Sequence, residues 1–329
     1  MNNEILILKS DKDDFEKEFI DLFIDAGYDC QPIYKPAGTV GYYLRVLWNK
    51  YLNLPFKSLT YGYWKKNLSA YKTVILFDRI LSWDIIRFLK KENPDLRVIV
   101  WYWNPVDRTI ALPNPEYGGE LWTFDPADQQ KYGMHLNTQF FRKPHWYADS
   151  FADSAQKGEG HRIFFAGSDK GRAEEVLRII RMLEKMGVEP DVSIIEDKTT
   201  SKIPEIQSWY QSELIPYSQM LQRVGQASIL LDVPQKGQRG ITLRILEAQF
   251  FMKKLITTNE AVQNCCFYHP DNILILKNDT SAAELKSFIE TPCNTEAFHK
   301  AEFYDIPSWI SRFDEGEIYD ECRSGDRSL

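Results

Sequence analysis

The residues best suited to chemistry lie together at 234–248, which read Pro234-Gln235-Lys236-Gly237-Gln238-Arg239-Gly240-Ile241-Thr242-Leu243-Arg244-Ile245-Leu246-Glu247-Ala248. The stretch follows an apolar, strand-like run at 228–233 and leads into a helical periodicity over 241–251. Two glycines let a backbone approach a ligand closely, and the mouth of a helix offers unsatisfied N–H groups with partial positive charge, which suits phosphate. Ile241 and Ile245 share the core-facing side, leaving Arg244 and Glu247 three apart on a neighbouring face. A carboxylate one to two turns into such a helix can reach a ribose diol while the helix mouth faces phosphate. The competing reading is a solvated Arg244–Glu247 pair, worth only about 0.3 kcal/mol. The crowd of polar side chains beside an otherwise apolar helix favours the functional reading.

Gly167-Ser168-Asp169-Lys170-Gly171-Arg172 repeats the logic. It follows a strand, opens a helix and carries two cations, Lys170 and Arg172, at a helix N-terminus. It is not a G-x-G-x-x-G and lacks the Gly-Lys-Ser/Thr end of a nucleotide-triphosphate loop. A plain strand-to-helix turn with solvated charges explains it equally well. At Ile215-Pro216-Tyr217-Ser218 a backbone turn could hold a flat base against Tyr217, or Ser218 could simply cap a helix.

In the first half, Asp78 and Asn104 end two apolar runs and would face a cleft. A carboxylate there can take a proton from a hydroxyl, although Asp78 also suits a helix cap or a partner for Arg79. Trp101, Tyr102 and Trp103 read as core, with one of them able to stack on a sugar ring. Asp125, Asp128, Lys131 and Tyr132 stay ambiguous. The five histidines are dispersed, H-E-x-x-H and G-x-S-x-G are missing, and the acidic Asp11–Asp14 run reads as the cap and start of the first helix rather than as a metal–pyrophosphate clamp, so no metal ligand set is expected.

The elements that must position these residues alternate between strand and helix. In the first half the pattern predicts a strand at 5–8, a helix at 13–26, a strand at 73–77, a helix at 82–91 and a strand at 97–103. A loop-rich stretch follows from 105 to 160, with a short strand near 121–124 and a linker at 149–160. The second half predicts strands at 162–166, 191–195, 228–233, 254–257 and 272–276, with helices at 172–185, 218–225, 241–251 and 282–289. Strands separated by helices specify parallel, doubly wound α/β domains. The expected division is 1–155, 156–300, and a C-terminal helix and tail at 301–329 that could pack back on the first domain.

Composition narrows the classes. The 329 residues carry 40 Lys and Arg against 47 Asp and Glu, a net charge of −7, which argues against a nucleic-acid partner and against strong attachment to an anionic membrane. Brief contact through aromatics or through Lys65 and Lys66 is compatible with it. No apolar stretch reaches the ~20 residues a membrane span needs, and the N-terminus lacks the features of a signal peptide. Five cysteines without a C-x-x-C fit reduced thiols in a cytoplasm.

Taken together, Ile215-Pro216-Tyr217, Leu231-Asp232, Gln235 to Gly240, Arg244 to Ala248 and Lys253 to Asn259 resemble bacterial glycosyltransferases of lipopolysaccharide and capsule biosynthesis. Phe124-Asp125 with Asp128 and Lys131-Tyr132-Gly133 is similar to the end of their first domain. The resemblance implies the GT-B architecture, two facing Rossmann-like doubly wound domains with a cleft between them. The second domain would hold a nucleotide-sugar donor, and a glycan or lipid-linked glycan would be the acceptor. It implies Glu247 on the donor ribose, Thr242 and the Gly240 backbone on the diphosphate, Arg239 and Arg244 offsetting phosphate charge, and Ile215 and Tyr217 flanking the base. Gln238, Gly167, Ser168, Lys170 and Arg172 complete the expected donor site, with Asp78 as the base if the reaction inverts. No cofactor beyond the donor and no metal is implied, and the expected location is the cytoplasm, at the inner face of the membrane. The retaining pattern of two glutamates eight apart is broken, since Arg239 stands eight before Glu247. An epimerase acting on nucleotide sugars and a non-catalytic glycan-binding subunit are the rival readings.

Overall fold

The computed structural model describes residues 4–9, 14–52, 55–77, 83–106, 115–147, 160–198, 200, 203–213 and 215–315. The chain divides into two compact units, one of Met1–Phe124 with Asp128–Leu136, the other of Asp125–Ala127 with Asn137–Leu329. The expected boundary at 155 and all of the expected linker at 149–160 except Gly160 lie outside the described residues.

The first unit is built on a six-stranded parallel sheet. Its strands are β1 (Ile5–Lys9), β2 (Asp29–Pro32), β3 (Thr73–Phe77), β4 (Arg97–Tyr102), β5 (Glu120–Thr123) and β6 (His135–Leu136), in the order β2-β1-β3-β4-β5-β6. β3 and β4 are continuous apolar runs because a parallel sheet is covered on both faces. Four of five residues are buried in β3 and five of six in β4. Helices α1 (Asp14–Asp25), α2 (Thr39–Val46) and α3 (Trp83–Glu92) belong to this unit. α3 places Ile85, Ile86 and Leu89 against Val74, Leu76 and Val98. Trp101, Tyr102 and Trp103 are all buried, which settles them as core.

The second unit repeats the plan. β7 (Arg162–Ser168), β8 (Glu189–Ile195), β9 (Tyr210–Gln211), β10 (Ile229–Asp232), β11 (Lys254–Thr257) and β12 (Ile273–Ile275) form a parallel sheet in the order β12-β11-β10-β7-β8-β9. α4 (Pro126–Tyr132) straddles the division, with Pro126 and Ala127 in this unit and the rest in the first, and α5 (Ala173–Glu184), α6 (Tyr217–Gln226), α7 (Leu243–Phe250), α8 (Ala282–Glu290), α9 (Thr295–His299) and α10 (Ile306–Glu315) lie in the second. α5 shows why the sequence folds so: Val176, Ile179, Ile180 and Leu183 recur at helical spacing and are fully buried. Burying each stabilises the fold by about 1.5–3 kcal/mol.

Several expected boundaries move. β7 runs through Gly167 and Ser168, so the turn after it begins at Asp169 rather than at Gly167. The loop-rich stretch holds α4, which its sequence signals with Asp125 ahead of Pro126: Asp125 Oδ1 accepts the Ala127 N–H at 2.8 Å. The C-terminal helix α10 belongs to the second unit. Trp309 is buried against Phe140 with ring centroids 4.1 Å apart, and Arg312 donates to Asn137 Oδ1 at 3.1 Å and to Thr138 Oγ1 at 2.6 Å.

Candidate functional site

The second sheet has the strand order of a dinucleotide-binding fold, and its order reverses between β7 and β10. Loops leaving two adjacent strands in opposite directions open a crevice at that point, where open α/β sheets bind ligands. The loop after β7 is 169–172 and the loop after β10 is 233–242, so the fold brings together the two segments singled out by their residue types.

Asp232, at the end of β10, pins the second loop. It is buried, accepts from Thr242 Oγ1 at 2.7 Å and from Thr257 Oγ1 at 2.7 Å, and so ties the mouth of α7 to β10 and β11. Burial pushes its pKa up, against the two hydroxyls and the nearby Arg172 and Arg244. Thr242 is the N-cap of α7 and accepts the Ile245 N–H at 3.4 Å. Asp125 holds the loop from its other side: Oδ2 accepts from the Arg239 N–H at 3.0 Å and the Gly240 N–H at 3.4 Å. Asn259 Nδ2 donates to the Gly240 carbonyl at 3.0 Å. Both polar groups of the Gly240 backbone and the Thr242 hydroxyl are therefore engaged in holding the loop.

Arg172 ties the two loops to each other. Its guanidinium donates to the Ser168 carbonyl at 3.1 Å and to the Val233 carbonyl, and lies over the Phe165 ring. A methyl group on Gly167 would come within 2.5 Å of that guanidinium, which is why a glycine suits the position. Burial pushes the Arg172 pKa down, with Asp232 opposing. Asp169 is buried and accepts from the Arg172 and Ala173 N–H groups at 3.1 and 3.3 Å, starting α5. Lys170 takes a left-handed φ of +50°, rare for a residue with a side chain, and its N–H is held by Asp197 Oδ2 at 2.9 Å.

Arg244 and Glu247 are not the solvated pair of the competing reading. Glu247 is 1% exposed and Arg244 10%, with Nη1 and Oε2 2.6 Å apart. Arg244 lies over the Phe164 ring and reaches the Ala166 carbonyl at 3.4 Å, while Tyr217 Oη donates to Glu247 Oε1 at 3.3 Å. Burial pushes the Glu247 pKa up, and Arg244 and Tyr217 work against that. Tyr217 is buried at the start of α6 behind Pro216, which is the N-cap in place of Ser218; Ile215 just outside is half-buried.

The expected residues thus sort into two groups. Gly240, Thr242, Arg172, Arg244, Glu247 and Tyr217 are engaged in the scaffold of the two loops. The side chains of Lys170 and Arg239 are exposed and have no hydrogen-bond or ion-pair partner among the described residues, and Gln238 is half-buried in the turn around Gly237. Asp78 lies outside the described residues. Asn259 and the anchoring roles of Asp125 and Asp232 were not legible as site features. The available signal was a carboxylate closing an apolar strand, Ile229-Leu230-Leu231-Asp232. Among the described residues no group of three or more His, Cys, Asp or Glu could hold a metal ion.

No family model matches the chain, and no curated protein matches it in sequence. Solved structures do match. AviGT4, a glycosyltransferase involved in avilamycin A biosynthesis, is 10% identical, with 94% of this chain and 96% of that chain covered at a TM-score of 0.52. Sucrose-phosphate synthase from Thermosynechococcus elongatus is 9% identical over 94% and 97%, at 0.48. The UDP-GlcNAc 2-epimerase of Methanocaldococcus jannaschii, in complex with UDP-GlcNAc and UDP, is 11% identical over 94% and 98%, at 0.37. The chain has the α/β fold of the GT-B type, two Rossmann-like units each with a parallel six-stranded sheet and flanking helices. Its fold is glycosyltransferase-like.

Proposed function

We propose that the protein is a glycosyltransferase that moves a sugar from a nucleotide-sugar donor to a bacterial surface glycan, of the lipopolysaccharide or capsule kind, carried on a lipid. One observation carries the reading: the two polar loops meet at the β7/β10 switch point, with unpaired cations at their rims. Lys170, Arg239 and Gln238 contact the diphosphate, where positive charge stabilises the departing nucleoside diphosphate without a metal. Ile215 flanks the base. Glu247 reaches the ribose only if its pairing with Arg244 and Tyr217 opens, so a bound donor and the buried pair are in competition. Asp78 is the proposed base for an inverting transfer. The reaction takes place in the cytoplasm at the inner face of the membrane.

The test supplies a panel of nucleotide sugars with and without bacterial lipid extract and measures released nucleoside diphosphate and labelled lipid product. Release that depends on the extract supports transfer. Interconversion of donor alone, with no acceptor, makes the protein an epimerase. Glycan binding without release from any donor makes it a binding subunit.

A further inference from the structure

The first unit carries a surface that its fold leaves uncovered. Helix α2 continues over Leu47–Tyr51 in wider turns, in which Leu52 N–H bonds the Leu47 carbonyl. Along this helix Val40, Tyr43, Leu44, Leu47, Trp48 and Tyr51 recur at the three-and-four spacing of a single face. In a globular domain that stripe turns inward. Here it turns outward: the six residues are between 39% exposed at Trp48 and 73% at Val40. The inward residue is the charged one, Arg45, whose guanidinium lies 4.3 Å from the Tyr34 ring centroid. Phe56, Leu59 and Tyr63 extend the apolar surface at 63–73% exposure.

The charge of this region is as unusual as its polarity. Between Cys30 and Phe77 the chain has seven Lys and Arg and no Asp or Glu, although the whole protein carries −7; Lys57 and Lys72 are paired with Asp84 and Glu4 from outside the stretch. Desolvation lowers the Lys65 pKa, and the nearby Lys35 and Lys66 push it the same way. Lys66 also lies over the Tyr63 ring at 5.7 Å. An open groove of about 800 Å³ shares Phe56 and Lys57 with the apolar surface, and its lining sets the cations Arg87, Lys90 and Lys91 beside Asp84 and Glu116.

We propose that residues 39–52 and 55–66 dock the protein on a bilayer rich in anionic lipid, with the α2 stripe lying in the interface and Lys65 and Lys66 among the headgroups. Tyr and Trp favour the interface, and an outward apolar stripe beside cations is the pattern of a helix lying on a membrane rather than crossing it. The helical stretch 39–51 is far shorter than the ~20 residues of a span, and no helix among the described residues is long and apolar enough to cross a membrane. A second copy of the chain fits less well, since a two-fold contact here would bring lysines of like charge together, Lys65 and Lys66 among them. The overall −7 misleads about membranes because the acidic residues are absent from this stretch.

Docking needs no nucleotide, so its failure leaves the donor reading intact. The full chain is sedimented with vesicles of equal parts phosphatidylglycerol and phosphatidylethanolamine, and separately with phosphatidylcholine vesicles. The wild type binds the anionic vesicles, and binding weakens as salt rises. The L44E/L47E variant, altered at exposed positions and checked by its melting curve, binds at least about tenfold more weakly. K65Q/K66Q, a second variant that leaves the apolar stripe intact, also weakens binding about tenfold and flattens the salt dependence. No binding of wild type, equal binding to both vesicles, or binding unchanged in both variants overturns the proposal. So does a dimer in sedimentation velocity that L44E/L47E dissolves while vesicles remain unbound.

Discussion

The two units use one architecture for different ends. In the second, the polar residues gather at the carboxyl edge of the sheet. Asp232 and Asp125 hold the loop after β10, Arg172 ties it to the loop after β7, and the outer surface of α5 is an ordinary solvated face. In the first, the distinctive chemistry is on an outlying helix, where an apolar stripe faces solvent over a stretch with no carboxylate. A doubly wound sheet leaves both places free, because its core is made by the sheet faces and the helices on them. The difference lies in what the chain attaches to that core.

The largest effect expected from breaking this contrast is at Glu247. Glu247→Ala leaves the Arg244 guanidinium buried without its partner and costs about 3–5 kcal/mol in chemical denaturation. The double replacement Arg244→Met with Glu247→Leu should recover most of that loss, which a solvated pair would not show. The pH dependence sharpens the point. Burial raises the Glu247 pKa above its ordinary 4.5, so only in the interval between 4.5 and that raised value does the folded protein keep a proton that the unfolded chain has lost, and stability falls as pH rises through it. Glu247→Gln removes that contribution.

Core truncations come next. Leu89 in α3 and Ile180 in α5 are both fully buried, and alanine at either costs about 2–5 kcal/mol. If the units divide their labour, Ile180→Ala lowers nucleotide affinity through the loops of its own sheet, and Leu89→Ala at matched temperature below its melting point does not. Smaller still is Asp125→Ala, which strands the Arg239 and Gly240 N–H groups and costs about 1–3 kcal/mol. Loosening that loop should weaken nucleotide binding more than it weakens the fold, measured by calorimetry beside the melting curve.

Much of the fold was legible because parallel strands are apolar runs. The limits of β3 and β11 are those that the run lengths predict, and α5 follows from the helical spacing of its five buried positions. Short edge strands were not legible, since β2, β6 and β9 have two to four residues and little apolar character. α2 was hidden for a physical reason: its periodicity is genuine, but its apolar face turns outward, and no count of polar and apolar residues says which side meets water. In the site, sequence located both loops correctly as neighbours of strand ends. It could not tell which polar groups hold the loop and which are left exposed, because that depends on Asp125 and Asn259, 114 and 20 residues away from Arg239 in the chain.

The central claim, that the loops at the β7/β10 switch point grip the diphosphate of a nucleotide sugar, is tested most directly by calorimetric titration. UDP, GDP, dTDP and ADP are titrated into the wild type and into Arg239→Ala, whose side chain is exposed and leaves the melting temperature unchanged. The account predicts saturable binding of at least one nucleotide, weakened about tenfold by the substitution, the size expected for one lost charge-assisted contact. Absence of binding across the panel, or equal affinity in the two proteins, would contradict it.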